Sequence, residues 1–185
     1  MDEAVRKFEN PARVRELQID RVLDALDFCP DGSICDVGAG TGLFSVAAAA
    51  RTAGTVYAMD ISDAMLDILR RKAEENGIVN MSVRKVEGLL PARDGCCRAC
   101  LLATVYHELS DRAAMTAEIL RVLEPGGRLG VIEFLPGRTP MGPPPEHRVP
   151  PETLKNELEE GGFLQASAET LGENLFFAVF QKTKE

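Results

Sequence analysis

The sequence has no tryptophan, only two histidines and no long apolar segment. Its longest apolar stretch, around Val46 to Ala50, is far too short to span a bilayer, so we expect no membrane span. The 21 basic residues are outnumbered by 29 acidic ones, which gives a net charge of −8. Because an acidic surface repels a phosphate backbone, we also expect no nucleic acid partner.

An export signal is also missing from the sequence as it stands. Met1-Asp2-Glu3 places acids where a signal peptide carries positive charge, and no apolar core follows. These features predict a cytoplasmic protein, in which the five cysteines stay reduced. Cys96, Cys97 and Cys100 are close in sequence, but a structural zinc site needs a second ligand pair at suitable spacing. We predict no metal and interpret these residues as buried thiols.

What the chain does contain is an alternation of short apolar strands with helical segments. Strands are predicted at 33–37, 55–59, 81–86, 97–104 and 128–134, and a terminal strand pair at 163–171 and 174–182. Helices are predicted at 11–28, 43–51, 111–123 and 152–160, and a further one between a cap at Ser62 or Asp63 and a stop at Asn76-Gly77. The order predicts an α/β fold with a doubly wound, mostly parallel sheet of seven strands and an antiparallel C-terminal hairpin. Residues 1–185 are expected to form a single domain, with a helical cover at 1–29 and a proline-rich active-site loop at 135–151.

A glycine-rich run, Asp36 to Gly42 (DVGAGTG), lies between the first predicted strand and its helix. Without a Cβ, glycine lets the chain turn sharply and lets a ligand approach the main chain. The spacing is Gly-x-Gly-x-Gly, whereas a dinucleotide fingerprint needs its third glycine one position later, at Leu43. No Lys-Ser/Thr pair follows, so the run does not match a P-loop.

Asp60 ends the second predicted strand. A carboxylate at that place can accept hydrogen bonds from both hydroxyls of an adenosine ribose. Ile61 and Met65 follow it at positions suited to hold a purine between them. The alternative is that Asp60 only caps the following helix.

These motifs, together with Leu123 to Arg128 (LEPGGR) before another strand, resemble class I S-adenosylmethionine-dependent methyltransferases. Within that Rossmann-like class the chain looks most like the group named for ubiquinone and menaquinone C-methylation (methyltransferase type 11). That group also includes many small-molecule and arsenite methyltransferases. The resemblance covers nearly the whole chain and implies S-adenosylmethionine as cofactor, S-adenosylhomocysteine as product and a small-molecule methyl acceptor.

The resemblance also implies where the cofactor binds. Asp36 would face the methionine amino group, Asp60 the ribose, and Glu87, where an aspartate is more usual, the adenine. The full set of implied cofactor contacts is Asp36, Gly38, Ala39, Gly40, Gly42, Asp60, Ile61, Met65, Glu87, Gly88 and Thr104. Arg98 is a second departure, because members of the group usually carry aspartate there.

Residues that act on the acceptor are expected after the fourth and fifth strands, because ligands of open α/β sheets lie beyond the carboxyl ends of the strands. His107 is a candidate base, or else a histidine that joins two loops by hydrogen bonds. Glu133 is a candidate catalytic carboxylate, or else a solvated loop residue. His147 and Arg148 form a pair that could face an anionic acceptor, or else lie in solvent on a rigid connection.

Several alternatives stay open on the sequence alone. Phe8, Asn10, Pro11 and Arg13 are candidates to cover the cleft, although a helix packed on the sheet is the favoured interpretation. A partner subunit of a homodimer is another source of cover. The chain could also be a catalytically silent cofactor-binding module acting through a partner, or a nicotinamide oxidoreductase. The family resemblance keeps soft-metal or arsenite capture by the thiols in view.

Overall fold

Seven strands form one sheet in the order β3-β2-β1-β4-β5-β7-β6 in this computed structural model, which describes residues 3–28, 30–137, 139 and 141–183. The strands are β1 (Ile34–Val37), β2 (Val56–Asp60), β3 (Met81–Lys85), β4 (Cys97–Ala103), β5 (Leu123–Phe134), β6 (Phe163–Leu171) and β7 (Leu175–Lys182). The first five are parallel, and β7 pairs antiparallel with both β5 and β6. The predicted α/β sheet with its antiparallel C-terminal hairpin is therefore confirmed.

Helices cover both faces of this sheet. They are α1 (Glu3–Phe8), α2 (Pro11–Leu17), α3 (Ile19–Leu26), α4 (Leu43–Ala49), α5 (Asp63–Glu75), α6 (Arg112–Val122) and α7 (Pro151–Glu160). The apolar sides of α3, α4 and α5 pack on one face, and those of α6 and α7 pack on the other. Because both faces of the sheet are covered, β4 is apolar except for Arg98, and β5 is buried along most of its length. No described helix has both the length and the apolar character that crossing a membrane requires.

The prediction of one continuous helix over residues 11–28 is wrong. Gln18 adopts a left-handed conformation with φ of 40°, which ends α2 and starts α3 in a new direction. The apolar positions Val22, Leu23 and Leu26 of α3 face the core. A separate helix, α1, precedes α2. These two short helices lie over the end of the sheet, because the break at Gln18 separates them from α3.

The fifth strand also starts earlier than predicted, at Leu123 instead of Arg128. The segment from Pro125 to Gly127 is an irregularity inside the strand, because the register with β4 jumps from Cys97–Leu123 to Ala99–Arg128. One residue of β4 thus faces several of β5, which is the geometry of a bulge. The jump leaves Cys97 and Cys100 on the same face of the sheet.

Candidate cofactor-binding and active site

A cleft of about 410 Å³ lies at the carboxyl ends of β1, β2 and β4. Its walls are the turn after β1, the residues that follow β2 and β4, and three side chains of the N-terminal helices, Phe8, Arg13 and Leu17. The sheet order reverses between β1 and β4, and such a switch point is where open α/β sheets bind ligands. The volume suits one small molecule.

The glycine-rich turn forms the floor of the cleft. Gly38 has φ of 72°, and a Cβ there would lie 2.5 Å from Cγ2 of Val105. Gly42 has φ of 88° and begins α4, where a Cβ would lie 2.7 Å from Cδ2 of Leu69. Both positions therefore need glycine, for the backbone conformation and for the close packing. The result is bare main chain facing the cleft at Gly38, Ala39 and Gly40.

The Asp60 carboxylate is oriented by two backbone amides. Its Oδ2 accepts a hydrogen bond from Gly40 N at 2.9 Å, and its Oδ1 accepts one from Ser62 N at 2.9 Å. The side chain lines the cleft although the residue is only 8% exposed. An ionised carboxylate has about four acceptor positions, so roughly two stay available to a ligand. Asp60 thus braces the start of α5 and also faces the cleft.

Asp36 is the second acid of the cleft and is almost fully buried. Burial raises the pKa of Asp36 to about 6, with repulsion from Asp60 adding to the shift and a hydrogen bond from the Ser45 hydroxyl at 2.5 Å opposing it. No basic side chain pairs with Asp36 among the residues that the structure describes. A cationic group of a ligand would supply the missing compensation.

Most of the cofactor-binding residues predicted from the sequence meet at this cleft. Those that line it are Asp36, Gly38, Ala39, Gly40, Asp60, Ile61, Met65 and Thr104. Gly42 lies behind it as the first residue before α4, and Glu87 and Gly88 are exposed outside it. Val86, the residue before Glu87, lines the cleft instead. The adenine contact predicted at Glu87 and Gly88 therefore stays a prediction.

Sequence reasoning missed several apolar residues of the cleft. Leu43 and Phe44 start α4, and Val105, Leu109 and Met115 come from the segment after β4. Leu43 and Phe44 could have been identified from the sequence, because they directly follow the last glycine of the turn. The other three lie in a loop and in a helix with no periodic pattern that marks the side facing the cleft.

His107 and Glu133, both predicted as catalytic, are in contact with each other. The ring Nδ1 of His107 lies 2.8 Å from Oε2 of Glu133, and the His107 amide donates to Oε1 at 3.1 Å. Glu133 is 0% exposed, so its interpretation as a solvated loop carboxylate is wrong. The strand β5 extends through Phe134 and carries this side chain into the interior. Neither residue lines the cleft, whereas their neighbours Val105 and Glu108 do.

The surroundings of His107 favour its charged form. Burial lowers the pKa of His107, but the hydrogen bond and the charge of Glu133, helped by Glu108, raise it above the ordinary value overall. The ring also packs edge-on against Phe134, with centroids 5.8 Å apart. The Nε2 atom faces Glu108 Oε1 at 3.7 Å, so the imidazole lies between a buried acid and an acid of the cleft.

Tyr106, the residue before His107, belongs to the core. Its hydroxyl donates to Glu157 of α7 at 2.9 Å, and burial together with Glu157 raises its pKa. Arg112 packs over the Tyr106 ring and donates to Glu157 at 3.1 Å. Tyr106 to Glu108 form one turn of 3₁₀-helix, so this turn is held on one side by Glu157 and on the other by Glu133.

His147 is exposed and does not line the cleft. Arg148 is buried, but it points into its own loop. Its guanidinium donates to the carbonyls of Pro143, Leu135 and Met141 at 2.9 to 3.0 Å. The hypothesis that both side chains face an acceptor is therefore wrong for Arg148. Residues 138 and 140 of the predicted active-site loop lie outside the described part, and the loop's role stays a prediction.

The N-terminal helices contribute more than the favoured interpretation allowed. Phe8 and Arg13 line the cleft, while Asn10 and Pro11 between them start α2, with the Asn10 side chain accepting from Ala12 N at 2.9 Å. Helix α3 does pack on the sheet, as the favoured interpretation expected. Side chains of α1 and α2 thus line the cleft, while the cover expected at residues 1–29 stays a prediction, and Cys29 lies outside the described residues.

Three thiols share one buried place in the sheet. Cys35 of β1 pairs in register with Cys100 of β4, and Cys97 lies on the same face. All three are free and buried, and Cys96 is half-buried with its Sγ 3.6 Å from that of Cys97. Within the described ranges, no three His, Cys, Asp or Glu side chains are arranged to hold a metal ion.

Comparison with known proteins matches the part of the chain that holds the glycine-rich turn and Asp60. A family model described as a methyltransferase domain matches residues 35–131. A ubiquinone/menaquinone biosynthesis C-methyltransferase (UbiE) of Acidiphilium cryptum is 35% identical over 112 residues, which are 59% of this chain and 45% of that protein. A demethylmenaquinone methyltransferase of Thermus thermophilus is 38% identical over 107 residues, 56% of this chain and 47% of that protein. The matches thus span less than half the length of these two relatives.

Solved structures agree with the fold. A SAM-dependent methyltransferase from Aquifex aeolicus superposes with a TM-score of 0.90 at 25% identity, covering 96% of both chains. The [4+2]-cyclase SpnF superposes with a TM-score of 0.82 at 20% identity, covering 92% of this chain and 81% of that one, which shows the fold alone. The predicted family and cofactor are confirmed, since this family and fold imply S-adenosylmethionine. The chain belongs to the methyltransferase domain family, as a class I S-adenosylmethionine-dependent methyltransferase of the ubiquinone/menaquinone C-methyltransferase-like group.

Proposed function

We propose that this chain, as a single methyltransferase domain, transfers the methyl group of S-adenosylmethionine to a small-molecule acceptor. The observation that carries the proposal is the Asp60 carboxylate, which two backbone amides hold at the edge of a cleft floored by bare main chain. The same fold also occurs in a [4+2]-cyclase, so the site and not the fold has to support the reaction.

The residues of the cleft fit this cofactor. Asp60 has free acceptor positions for the ribose hydroxyls, and the buried Asp36 lacks a cationic partner that the amino group would provide. Ile61, Met65 and Val86 offer apolar surface for the purine. Gly38, Ala39 and Gly40 present main chain to the cleft for the amino-acid part. When bound, the cofactor supplies a methyl group that its sulfonium activates for direct displacement.

The remaining work of the protein is to orient the acceptor and to exclude water. Correct alignment can supply about 7–11 kcal/mol of the barrier. Leu109 and Met115 after β4, with Phe8 of the cover, line the cleft and would shield the reacting atoms. These apolar side chains favour an acceptor with an apolar surface, in keeping with the quinone-related names of the curated relatives.

We assign His107 and Glu133 a role through the turn that they hold. Glu133 fixes the His107 ring and backbone, and this turn presents Glu108 to the cleft. Glu108 lines the cleft, so its carboxylate is the group placed to take a proton from an acidic acceptor, and it lies 3.7 Å from Nε2 of His107. His147 is exposed, and the described residues make no contact with its side chain that supports a catalytic part.

Two features of the sequence suggest a catalytically silent cofactor-binding module, namely Arg98 at a position that usually carries aspartate and a short acceptor cap, but the structure removes the force of both. Arg98 lies at the start of β4, at the opposite end of that strand from the cleft, where it pairs with Glu124 at 3.0 Å. The short acceptor cap is supplemented by α1 and α2, which line the cleft. Catalytic methyl transfer is therefore the function that we retain.

Calorimetric titration with S-adenosylhomocysteine tests the cofactor site. We expect Asp60→Asn to weaken binding at least tenfold, since one decade in affinity corresponds to about 1.4 kcal/mol. Asp63→Asn is the matched control, because Asp63 is an exposed acid nearby that pairs with Lys85. Absence of binding to the unmodified protein, or equal affinity in both variants, would contradict the proposal.

The reaction itself needs a second experiment. The pure protein is incubated with methyl-labelled S-adenosylmethionine and a metabolite extract, and labelled small molecules are separated and identified. We expect label in a small molecule, and a large loss of that label with Asp60→Asn. Label confined to the cofactor, with binding intact, would support the silent module instead.

A further inference from the structure

The guanidinium of Arg13 lies in the cleft without a charge partner. Its Nη2 donates to the Thr104 hydroxyl at 2.9 Å, and its Nε is buried with no hydrogen-bond partner. No other lysine, arginine or histidine of the described chain lines the cleft, and no described carboxylate forms an ion pair with Arg13. Burial lowers the pKa of Arg13, which reflects the cost of an uncompensated charge. A half-buried charge of this kind is stabilised by an anion.

Arg13 is also held in position. Thr104 has φ of 60°, a strained conformation for a residue with a Cβ, and its amide donates to Ile132 O at 2.7 Å. Such strain costs of order 1–3 kcal/mol and is concentrated at functional sites. The Phe8 ring lies 5.7 Å from the Arg13 guanidinium. The donors of Arg13 are therefore fixed before any ligand arrives.

The location of Arg13 indicates which anion it meets. Thr104 follows β4, the parallel neighbour of β1, and the next side chain, Val105, packs over Gly38. Arg13 thus reaches the crevice between β1 and β4, beside the glycine-rich turn. Asp36, the buried acid without a cationic partner, lines the same cleft.

We propose that Arg13 binds the carboxylate of the amino-acid part of the cofactor, so that Arg13 and Asp36 together recognise its zwitterion. This inference rests on the proposed function. The planar guanidinium suits a carboxylate, because it can donate two parallel hydrogen bonds. The N-terminal cover then has a second task, since it carries a group that selects the cofactor.

The test compares two ligands and three variants by calorimetric titration. Decarboxylated S-adenosylmethionine keeps the sulfonium and the amine and lacks only the carboxylate. We expect Arg13→Gln to weaken S-adenosylmethionine binding ten- to hundredfold and to change binding of the decarboxylated ligand less than twofold. Arg13→Lys should recover part of the loss. Arg15→Gln, an exposed arginine on the same helix, should bind both ligands like the unmodified protein.

The outcomes separate this inference from the proposed function. If the unmodified protein binds neither ligand, the proposed function fails. If the unmodified protein binds both ligands but Arg13→Gln weakens binding of both equally, the assignment of Arg13 is overturned. The same holds if Arg13→Gln only raises KM for the acceptor. The unmodified protein provides a check that needs no variant, because it should prefer S-adenosylmethionine over the decarboxylated ligand at least tenfold. Equal affinities there would also overturn the inference.

Discussion

The Glu133 carboxylate accepts hydrogen bonds from both the backbone amide and the ring Nδ1 of His107, at 3.1 and 2.8 Å. An ionised carboxylate can only accept, so Nδ1 carries the proton and Nε2 faces Glu108. The acid thus sets the tautomer and the orientation of the imidazole. It also anchors the turn after β4 that lines the cleft.

Removing the charge of Glu133 should destabilise the protein in a pH-dependent way. Because the folded pKa of His107 is raised, its pairing stabilises the fold fully below the unfolded value and loses this effect as the pH rises through the folded pKa. We expect Glu133→Gln to lower the free energy of unfolding by about 2 kcal/mol at pH 6 and by less at pH 9. Urea unfolding at both pH values measures this. Glu146→Gln, at an exposed position, is the control, and an equal loss at both pH values would refute the assignment.

Replacing Asp36 should raise the stability of the ligand-free protein but weaken cofactor binding. Its folded pKa of about 6 lies above the ordinary 3.8, so Asp36 lowers the stability of the fold as the pH rises from 3.8 to about 6, and the full penalty is present above that range. Asp36→Asn should raise the stability of the ligand-free protein at pH 7.5 by up to about 3 kcal/mol, and by less at pH 5. It should also weaken S-adenosylmethionine binding. Thermal unfolding and calorimetry test both effects, and a less stable variant at pH 7.5 would be inconsistent with them.

Two glycines distinguish the floor of the cleft from its surroundings. In Gly38→Ala, the new Cβ would collide with Val105, whose branched side chain has few ways to move. In Gly88→Ala nothing lies within 4 Å, so only the positive φ of 97° costs stability, about 1–2 kcal/mol. We expect at least a tenfold loss of S-adenosylhomocysteine affinity for the first variant and none for the second. A similar loss in Gly88→Ala would return Gly88 to the cofactor site.

The proline-rich loop depends on Arg148 and not on His147. Arg148→Gln would leave several loop carbonyls without a donor and remove the packing on Phe134. We expect a loss of about 2–4 kcal/mol in urea unfolding. His147→Ala should stay within about 0.5 kcal/mol and retain methyl transfer, because the side chain is exposed. A large fall in kcat for His147→Ala would support its catalytic role instead.

The sequence by itself determined the sheet, the glycine-rich turn and the acid after β2. Each follows from local rules: apolar strands alternate with helices, positive φ requires glycine, and parallel strands bring their carboxyl ends to one edge. Asp36, Gly40 and Asp60 could therefore be placed together without knowing any side-chain contact. The same rules place candidate residues after β4 and β5 but do not say which of them reach the cleft.

Only the tertiary structure decided the side-chain partners. The predicted strand already ended at Phe134, but only the packed fold shows that Glu133 is buried and meets His107 across 26 residues of sequence. Arg13 meets Thr104 across 91 residues, and the break at Gln18 that turns α2 over the cleft has no marker in the helical pattern. Burial and pairing of this kind depend on packing between distant segments, and the free energy of a charged side chain is set by that packing.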